Sequence, residues 1–135
     1  MSASKQKGTA AETAVVRFLQ HWWPDAERRA LSGNKDKGDV AGVPGVAVEI
    51  KAAARLALAK WQRETLDEQE NAGALRCVLV VKRPYKPVAQ WDAYLPAWQV
   101  GIETEASEWV RMDLLVAVLF LTCPSPPYLL TTVSP

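Results

Sequence analysis

Three charged residues punctuate a segment otherwise apolar enough to be buried: Asp39, Glu49 and Lys51 in GDVAGVPGVAVEIKA, Gly38 to Ala52. Two apolar runs, Asp39 to Ala41 and Val46 to Ile50, flank the turn-forming Gly42, Val43, Pro44 and Gly45, so the stretch reads as a short hairpin. Strand alternation puts Glu49 and Lys51 on one face and Val48 and Ile50 on the other. An ion buried there loses hydration worth several kcal/mol, so each charge needs a partner. A two- or four-residue turn would pair Asp39 with Val48 and aim its carboxylate at the wrong face. A three-residue turn, or a single bulge at Gly45, sets Asp39 opposite Glu49, and glycine takes the positive φ a bulge demands. In that register two carboxylates and an ammonium meet. Few, hard oxygen ligands suit Mg²⁺, which keeps several waters and binds one or two carboxylates plus substrate phosphate. Such an ion polarises a phosphodiester and helps generate hydroxide, while Lys51 orients the attacking water or stabilises the developing negative charge.

The elements that must hold these residues follow from period and punctuation. Thr9-Ala10-Ala11-Glu12 fits a capping box, with Thr9 as N-cap and Glu12 reaching back to the backbone. Ala11, Ala14, Val15, Phe18, Leu19 and Trp22 then recur at helical spacing until Pro24. Ala26 to Leu31 suits a short strand, and the polar SGNKDKG after it a loop. Beyond the hairpin, Leu56 to Ala72 has helical spacing with Gly73 as its cap. Leu75 to Val81, LRCVLVV, predicts a central strand covered on both faces. Trp91, Ala93 and Leu95 alternate with Asp92 and Tyr94, which predicts a half-exposed strand. GIETEASE reads as a loop, Asp113 as the cap of a last helix through Thr122, and the proline-rich residues 124–135 as a loose tail. The order is helix, strand, hairpin, helix, strand, strand, helix, an α/β fold with a central mixed β-sheet flanked by helices.

The totals narrow the class. The 135 residues make one domain, 1–135, large enough to bury a core without staples. Cys77 and Cys123 are far apart and form no C-x-x-C pair, so they read as free thiols of a reducing, cytoplasmic compartment. No apolar h-region follows the basic N-terminus, and the apolar run Leu114 to Leu121 is too short to span a bilayer, so no membrane is expected. A single histidine, His21, beside Trp22 and Trp23, reads as structural and leaves zinc and histidine-based hydrolysis little support. The net charge of +1 hides a division: through Arg63, eleven Lys and Arg stand against six Asp and Glu, and from Glu64 onward five stand against nine. A basic half holding the hairpin suits a polyanion partner, with Lys35 and Lys37 in the loop placed to grip phosphates. Trp61, Trp91 and Trp109 fall on apolar faces and read as packing residues.

The spacing Asp39, nine residues, Glu49, any residue, Lys51 resembles the D-x(n)-E-x-K signature of the PD-(D/E)XK nuclease superfamily. Its surroundings narrow the likeness. A first helix with Glu12, Arg28 ahead of Ser32-Gly33, then Gly38-Asp39 and Val48-Glu49-Ile50-Lys51 is similar to the order in archaeal-type Holliday junction resolvases and their phage relatives. The likeness covers roughly Lys7 to Pro84; the C-terminal third from Tyr85 matches no motif. It implies a restriction-endonuclease-like core and a Mg²⁺-dependent, structure-selective DNA endonuclease in which Mn²⁺ substitutes. Asp39, Glu49 and the backbone carbonyl of Ile50 would bind the metal, Lys51 would be the catalytic lysine, and Glu12 would complete the acidic cluster. Ser32 and Arg28 would act on the scissile strand or its phosphate, with Arg29 beside Arg28 on the DNA and Gln62 and Gln69 as accessories from the second helix. The implied partner is a four-way junction cut by a homodimer, whose two-fold symmetry supplies two paired sites; the compartment is the cytoplasm, the host's if the chain is phage-encoded. Gly38 stands where the namesake motif has proline. Two other readings fit the same residues: a different nuclease of the superfamily, for repair or restriction, and a non-catalytic module whose hairpin charges form a structural ion pair.

Overall fold

A computed structural model describes residues 3–30, 36–104 and 107–123. In order they form α1 (Ala3–Leu19), β1 (Glu27–Arg28), β2 (Val40–Ala41), β3 (Val46–Lys51), α2 (Leu58–Ala72), β4 (Arg76–Val81), β5 (Asp92–Pro96), β6 (Trp109–Asp113) and α3 (Leu114–Leu121). Two 3₁₀ turns, Val88–Gln90 and Ala97–Val100, flank β5. The fold is α/β, a single small domain. Its main sheet has the order β3-β4-β5-β6, with β3 and β4 parallel and the later pairs antiparallel. β1 and β2 form a separate antiparallel ribbon.

Alternation assigns the two faces. Val46, Val48 and Ile50 of β3, Val78 and Val80 of β4, and Ala93 and Leu95 of β5 join the larger core with Val15 and Leu19 of α1 and Leu114, Ala117 and Val118 of α3. The opposite face carries Leu79, Val81 and Tyr94 against Trp61 of α2, with Trp109 packed beside them. Glu49 and Lys51 have this second parity, so they face α2. β4 is buried along its whole length and interior to the sheet, as LRCVLVV predicts. Gly73 ends α2 in the left-handed conformation, with φ 63°.

Four local expectations give way. α1 begins at Ala3, so Thr9 lies inside the helix and Glu12 is no capping residue; a four-residue pattern carries no information about the turn and a half of helix before it. β2 finds its ladder partner in β1, through Arg28 opposite Val40, and not in β3. β5 is not half exposed: Ala93 to Pro96 are all buried, because Tyr94, on the face expected to meet solvent, packs with Trp61 of α2 and Trp109 of β6. β6 itself occupies WVRMD, a strand that the expected order of elements lacks. Asp113 does sit at the N-cap of α3, though its side chain makes no capping bond. Ser32, Lys35 and the tail 124–135 lie outside the described residues.

Polar side chains finish the frame where ladders stop. Gln99 donates to the Cys77 carbonyl and accepts from the Cys77 N–H, both at 2.9 Å, completing β4 before β5 begins to pair with it. The buried Arg76 guanidinium donates to the carbonyls of Phe120, Leu121 and Cys123 at 2.8–3.1 Å, satisfying the open end of α3. Burial pushes the Cys77 thiol up to about 12, which removes it from thiolate chemistry.

Candidate active site

Asp39 reaches its position from the backbone outward. Its N–H donates to the Val48 carbonyl at 2.7 Å, and its carbonyl accepts from Arg29 N–H at 2.8 Å, which pins the residue between β3 and the chain after β1. The Asp39 carboxylate then accepts the Ile50 N–H at 2.7 Å. In a strand the N–H and C=O of one residue point the same way, so Ile50 turns its carbonyl to this same open edge of β3. Gly38 makes the approach feasible. It adopts φ 97°, and a Cβ there would lie 2.9 Å from the Val48 carbonyl oxygen. Its N–H also donates to Asp36 at 2.9 Å. Proline fits neither requirement, which accounts for glycine at this point.

Glu49, 4% exposed, projects from β3 toward α2; its carboxylate accepts the same Ile50 N–H, at 3.2 Å, as that of Asp39, and one of its oxygens lies within 4.8 Å of oxygens of Glu68 and Asp36. The carboxylates of 39 and 49 therefore meet across the parity that the hairpin register had to satisfy. The row continues at both ends. Glu12 of α1 contacts Asp39, and Asp36 contacts Glu68, giving the file Glu12, Asp39, Glu49, Glu68, Asp36. Burial pushes Asp39 up to about 8, reinforced by Glu49. Burial likewise pushes Glu49 up to about 8, with Glu68 adding and Asp39 and Lys51 opposing. Glu68 rises to about 7 through burial, with repulsion from Asp36 and Asp39 adding. Such a file holds protons, or it holds cations.

The cations present are placed around it. Arg28 clamps Glu12 through Nε at 3.2 Å and a terminal nitrogen at 2.9 Å. Even so, burial and the nearby Asp39 leave Glu12 raised. Lys51 Nζ lies 3.1 Å from Glu64 of α2. Burial alone would lower the ammonium, but Glu49, Glu64 and Asp39 outweigh it and hold it raised, so it stays charged. A cavity of about 490 Å³ opens over the group and is lined by Glu12, Arg28, Arg29, Asp36, Lys37, Asp39, Glu49, Lys51 and Glu64.

The structure thus brings together Asp39, Glu49, Lys51, Glu12, the Ile50 edge, Arg28, Arg29 and Lys37. Arg29 also spends one N–H on the Val40 carbonyl at 3.4 Å. It does not bring the helical glutamines. Gln69 donates to the Ala74 carbonyl at 3.3 Å beyond the end of α2, and Gln62 does not line the cavity. His21 lies at the end of α1, its Nδ1 2.9 Å from the Phe18 carbonyl and its ring among Phe18 and Trp22.

Three acids escaped sequence reasoning: Asp36, Glu64 and Glu68. A signal for two of them exists. Trp61, Thr65 and Glu68 fall at i, i+4 and i+7 on the buried face of α2, and Glu64 lies at i+3. An acid on a tryptophan's helical stripe is carried inward with it. The donor set is hard oxygen throughout and fits a divalent cation such as Mg²⁺ or Mn²⁺ better than zinc, since no histidine or cysteine reaches it. No helix among the described residues is long and apolar enough to cross a membrane. No protein-family model, curated protein or solved structure matches the chain.

Proposed function

We propose that the chain is a Mg²⁺-dependent endodeoxyribonuclease of the PD-(D/E)XK kind, acting on branched DNA as a Holliday junction resolvase. One observation carries the reading: the carboxylates of Asp39 and Glu49 meet at the open edge of β3, beside the Ile50 backbone, with Lys51 on the face of Glu49. Asp39, Glu49 and the Ile50 carbonyl would hold the ion, which when bound supplies a Lewis acid for the phosphodiester and acidifies water. The chain's own groups do the rest. Lys51 presents a fixed positive charge to the negative charge that grows on the phosphoryl oxygens as water's oxygen bonds to phosphorus and the bridging P–O bond breaks. Glu64 holds that ammonium in place at 3.1 Å. Arg28 is oriented by its two bonds to Glu12, so its remaining N–H groups are free to meet a phosphate at the cavity mouth, where Arg29 and Lys37 add charge. Because a four-way junction is two-fold symmetric and each chain carries one such cavity, paired nicks require a homodimer.

The test is cleavage of an end-labelled four-way junction in Mg²⁺, beside linear duplex of the same sequence. The account expects paired nicks in the junction, little cutting of duplex, and loss of both in Asp39→Asn and Lys51→Ala. Equal cutting of duplex rejects the junction selectivity, and no cutting of either substrate in Mg²⁺ or Mn²⁺ rejects the nuclease.

A further inference from the structure

The turn after β4 strains its backbone to display a side chain that the rest of the chain leaves bare. In Arg83-Pro84-Tyr85-Lys86 the Lys86 N–H donates to the Arg83 carbonyl at 3.2 Å, proline stands second, and Tyr85 in third place holds φ 64°. That is the pattern of a type II turn, whose third position ordinarily takes glycine or asparagine. A bulky tyrosine is a backbone outlier there, and no packing compensates it, since Tyr85 is 105% exposed. The turn is held from behind. Buried Trp91 donates its indole N–H to the Lys86 carbonyl at 3.0 Å, and the Gln90 N–H donates to the Pro87 carbonyl at 2.9 Å. The ring therefore stands on a braced support with both faces open.

The surroundings of the ring say what it meets. β3 and β4 are parallel, and the Lys82 N–H donates to the Lys51 carbonyl at 2.9 Å, so the turn leaves the sheet beside the candidate site. One strand spacing plus three residues of chain keeps Tyr85 within about 15 Å of Lys51, roughly four base steps along a nucleic-acid strand. A cavity of about 490 Å³ lies between the chain exits of β3 and β4, lined by Ala52, Ala53, Ala54, Lys82, Pro84 and Tyr85. Three alanines and a proline make its floor apolar. Segments 52–57 and 82–87 hold four basic residues, Arg55, Lys82, Arg83 and Lys86, and no acid, in a chain whose net charge is only +1. Asp92 takes Arg83 and Arg111, and among the described residues no carboxylate pairs with Arg55, Lys82 or Lys86. Lys82 instead lies over the Trp91 ring, 5.9 Å from its centroid. An open aromatic face beside an apolar floor, rimmed by unpaired cations, matches an unstacked base and its flanking phosphates.

We infer that Tyr85 is a stacking residue that receives an unpaired base at a DNA branch point, with Lys82 and Lys86 holding the phosphates on either side. The inference rests on the branched-DNA reading above and deepens it by naming what tells a junction from plain duplex. A paired, stacked duplex hides its base faces, whereas a branch point exposes them. Tyrosine persists at a glycine position because glycine would relax the turn and remove the ring.

The experiment is fluorescence anisotropy of a labelled four-way junction and of linear duplex of the same sequence, in EDTA so that no strand is cut, with the full chain and its Tyr85→Gly, Tyr85→Phe and Lys86→Gln variants. The account expects Tyr85→Gly to weaken junction binding about tenfold while duplex binding stays within about twofold. Tyr85→Phe, which keeps the ring, should bind the junction as the full chain does. Lys86→Gln should weaken both substrates and lower the salt slope by about one. Glycine is the residue this turn prefers, so Tyr85→Gly folds and its loss is the loss of the ring. Unchanged junction binding in Tyr85→Gly, an equal loss on duplex, or no rescue by phenylalanine overturns the stacking role. A dimer that becomes monomeric in Tyr85→Gly on sedimentation overturns it too, marking the turn as a contact between copies of the chain. The two proposals fail separately: a junction-selective loss in Tyr85→Gly with no cleavage by the full chain in Mg²⁺ would reject the nuclease and keep the stacking residue, whereas junction cleavage with binding indifferent to Tyr85 would do the reverse.

Discussion

The carboxylate file makes the stability of the metal-free protein depend on pH in an unusual direction. Asp39 and Glu49 are each pushed up to about 8, whereas the unfolded chain releases the same protons near pH 4. Between those limits the native state binds more protons than the unfolded state, so raising the pH favours unfolding. The contribution is complete below about pH 4 and is lost as pH climbs toward 8. One proton shared by the pair and held over about 4 pH units corresponds to roughly 5 kcal/mol as a ceiling. Relaxation and water entering the open cavity reduce that to about 2–3 kcal/mol. For a chain of this size each kcal/mol moves the melting temperature by about 3–4 °C, and the span from pH 5.5 to pH 8.5 covers about 2.5 of those 4 units, so Tm should fall by roughly 4–8 °C across it in EDTA. Millimolar Mg²⁺ or Mn²⁺ should restore most of the loss at pH 8.5, because the cation replaces the protons. Glu49→Gln should flatten both responses. Scanning calorimetry reads all of this. A Tm in EDTA that is level or rises across the range, or a fall that Glu49→Gln leaves unchanged, would refute the reasoning.

Three further outcomes follow from particular contacts. Lys51→Ala should lower the rate of junction cleavage by about 10²–10³-fold with Mn²⁺ affinity nearly intact, whereas Glu64→Gln should cost roughly tenfold, measured by single-turnover cleavage beside calorimetry. Gln99→Ala leaves the buried Cys77 N–H and C=O unpaired at the uncovered end of β4, so denaturant unfolding should show a loss of about 2–4 kcal/mol. Tyr85 holds φ 64° with a side chain 105% exposed, so Tyr85→Gly should raise stability by about 0.5–1 kcal/mol, read as a higher urea midpoint at constant slope.

What the sequence reveals depends on how far each signal reaches. Strand alternation is local, so the common face of Glu49 and Lys51, the buried β4 and the Gly73 cap of α2 are all legible in a few residues. The convergence of Asp39 on Glu49 is legible only through turn parity. The pairing that delivers it is not the expected ladder, since β2 pairs with β1 and only the Asp39 N–H bridges to β3. Thr9-Ala10-Ala11-Glu12 misleads for the same reason of range: helical residues before it cancel the cap, and Glu12 is free to turn to Arg28, sixteen residues on. Glu68 stays hidden because α2 is polar by composition, and only its position on the stripe of Trp61 marks it as internal. β6 stays hidden because five alternating residues beside an apolar helix carry a weaker signal than the helix does.

The central claim is that Asp39 and Glu49 cradle a divalent ion at the edge of β3. Anomalous diffraction from a crystal soaked in Mn²⁺ near pH 8 tests it most directly. The account predicts a Mn²⁺ peak bonded to a carboxylate oxygen of Asp39, a carboxylate oxygen of Glu49 and the carbonyl oxygen of Ile50, absent in Glu49→Gln. Saturating Mn²⁺ with no peak between those three oxygens, and the carboxyl groups still sharing a proton, would contradict it.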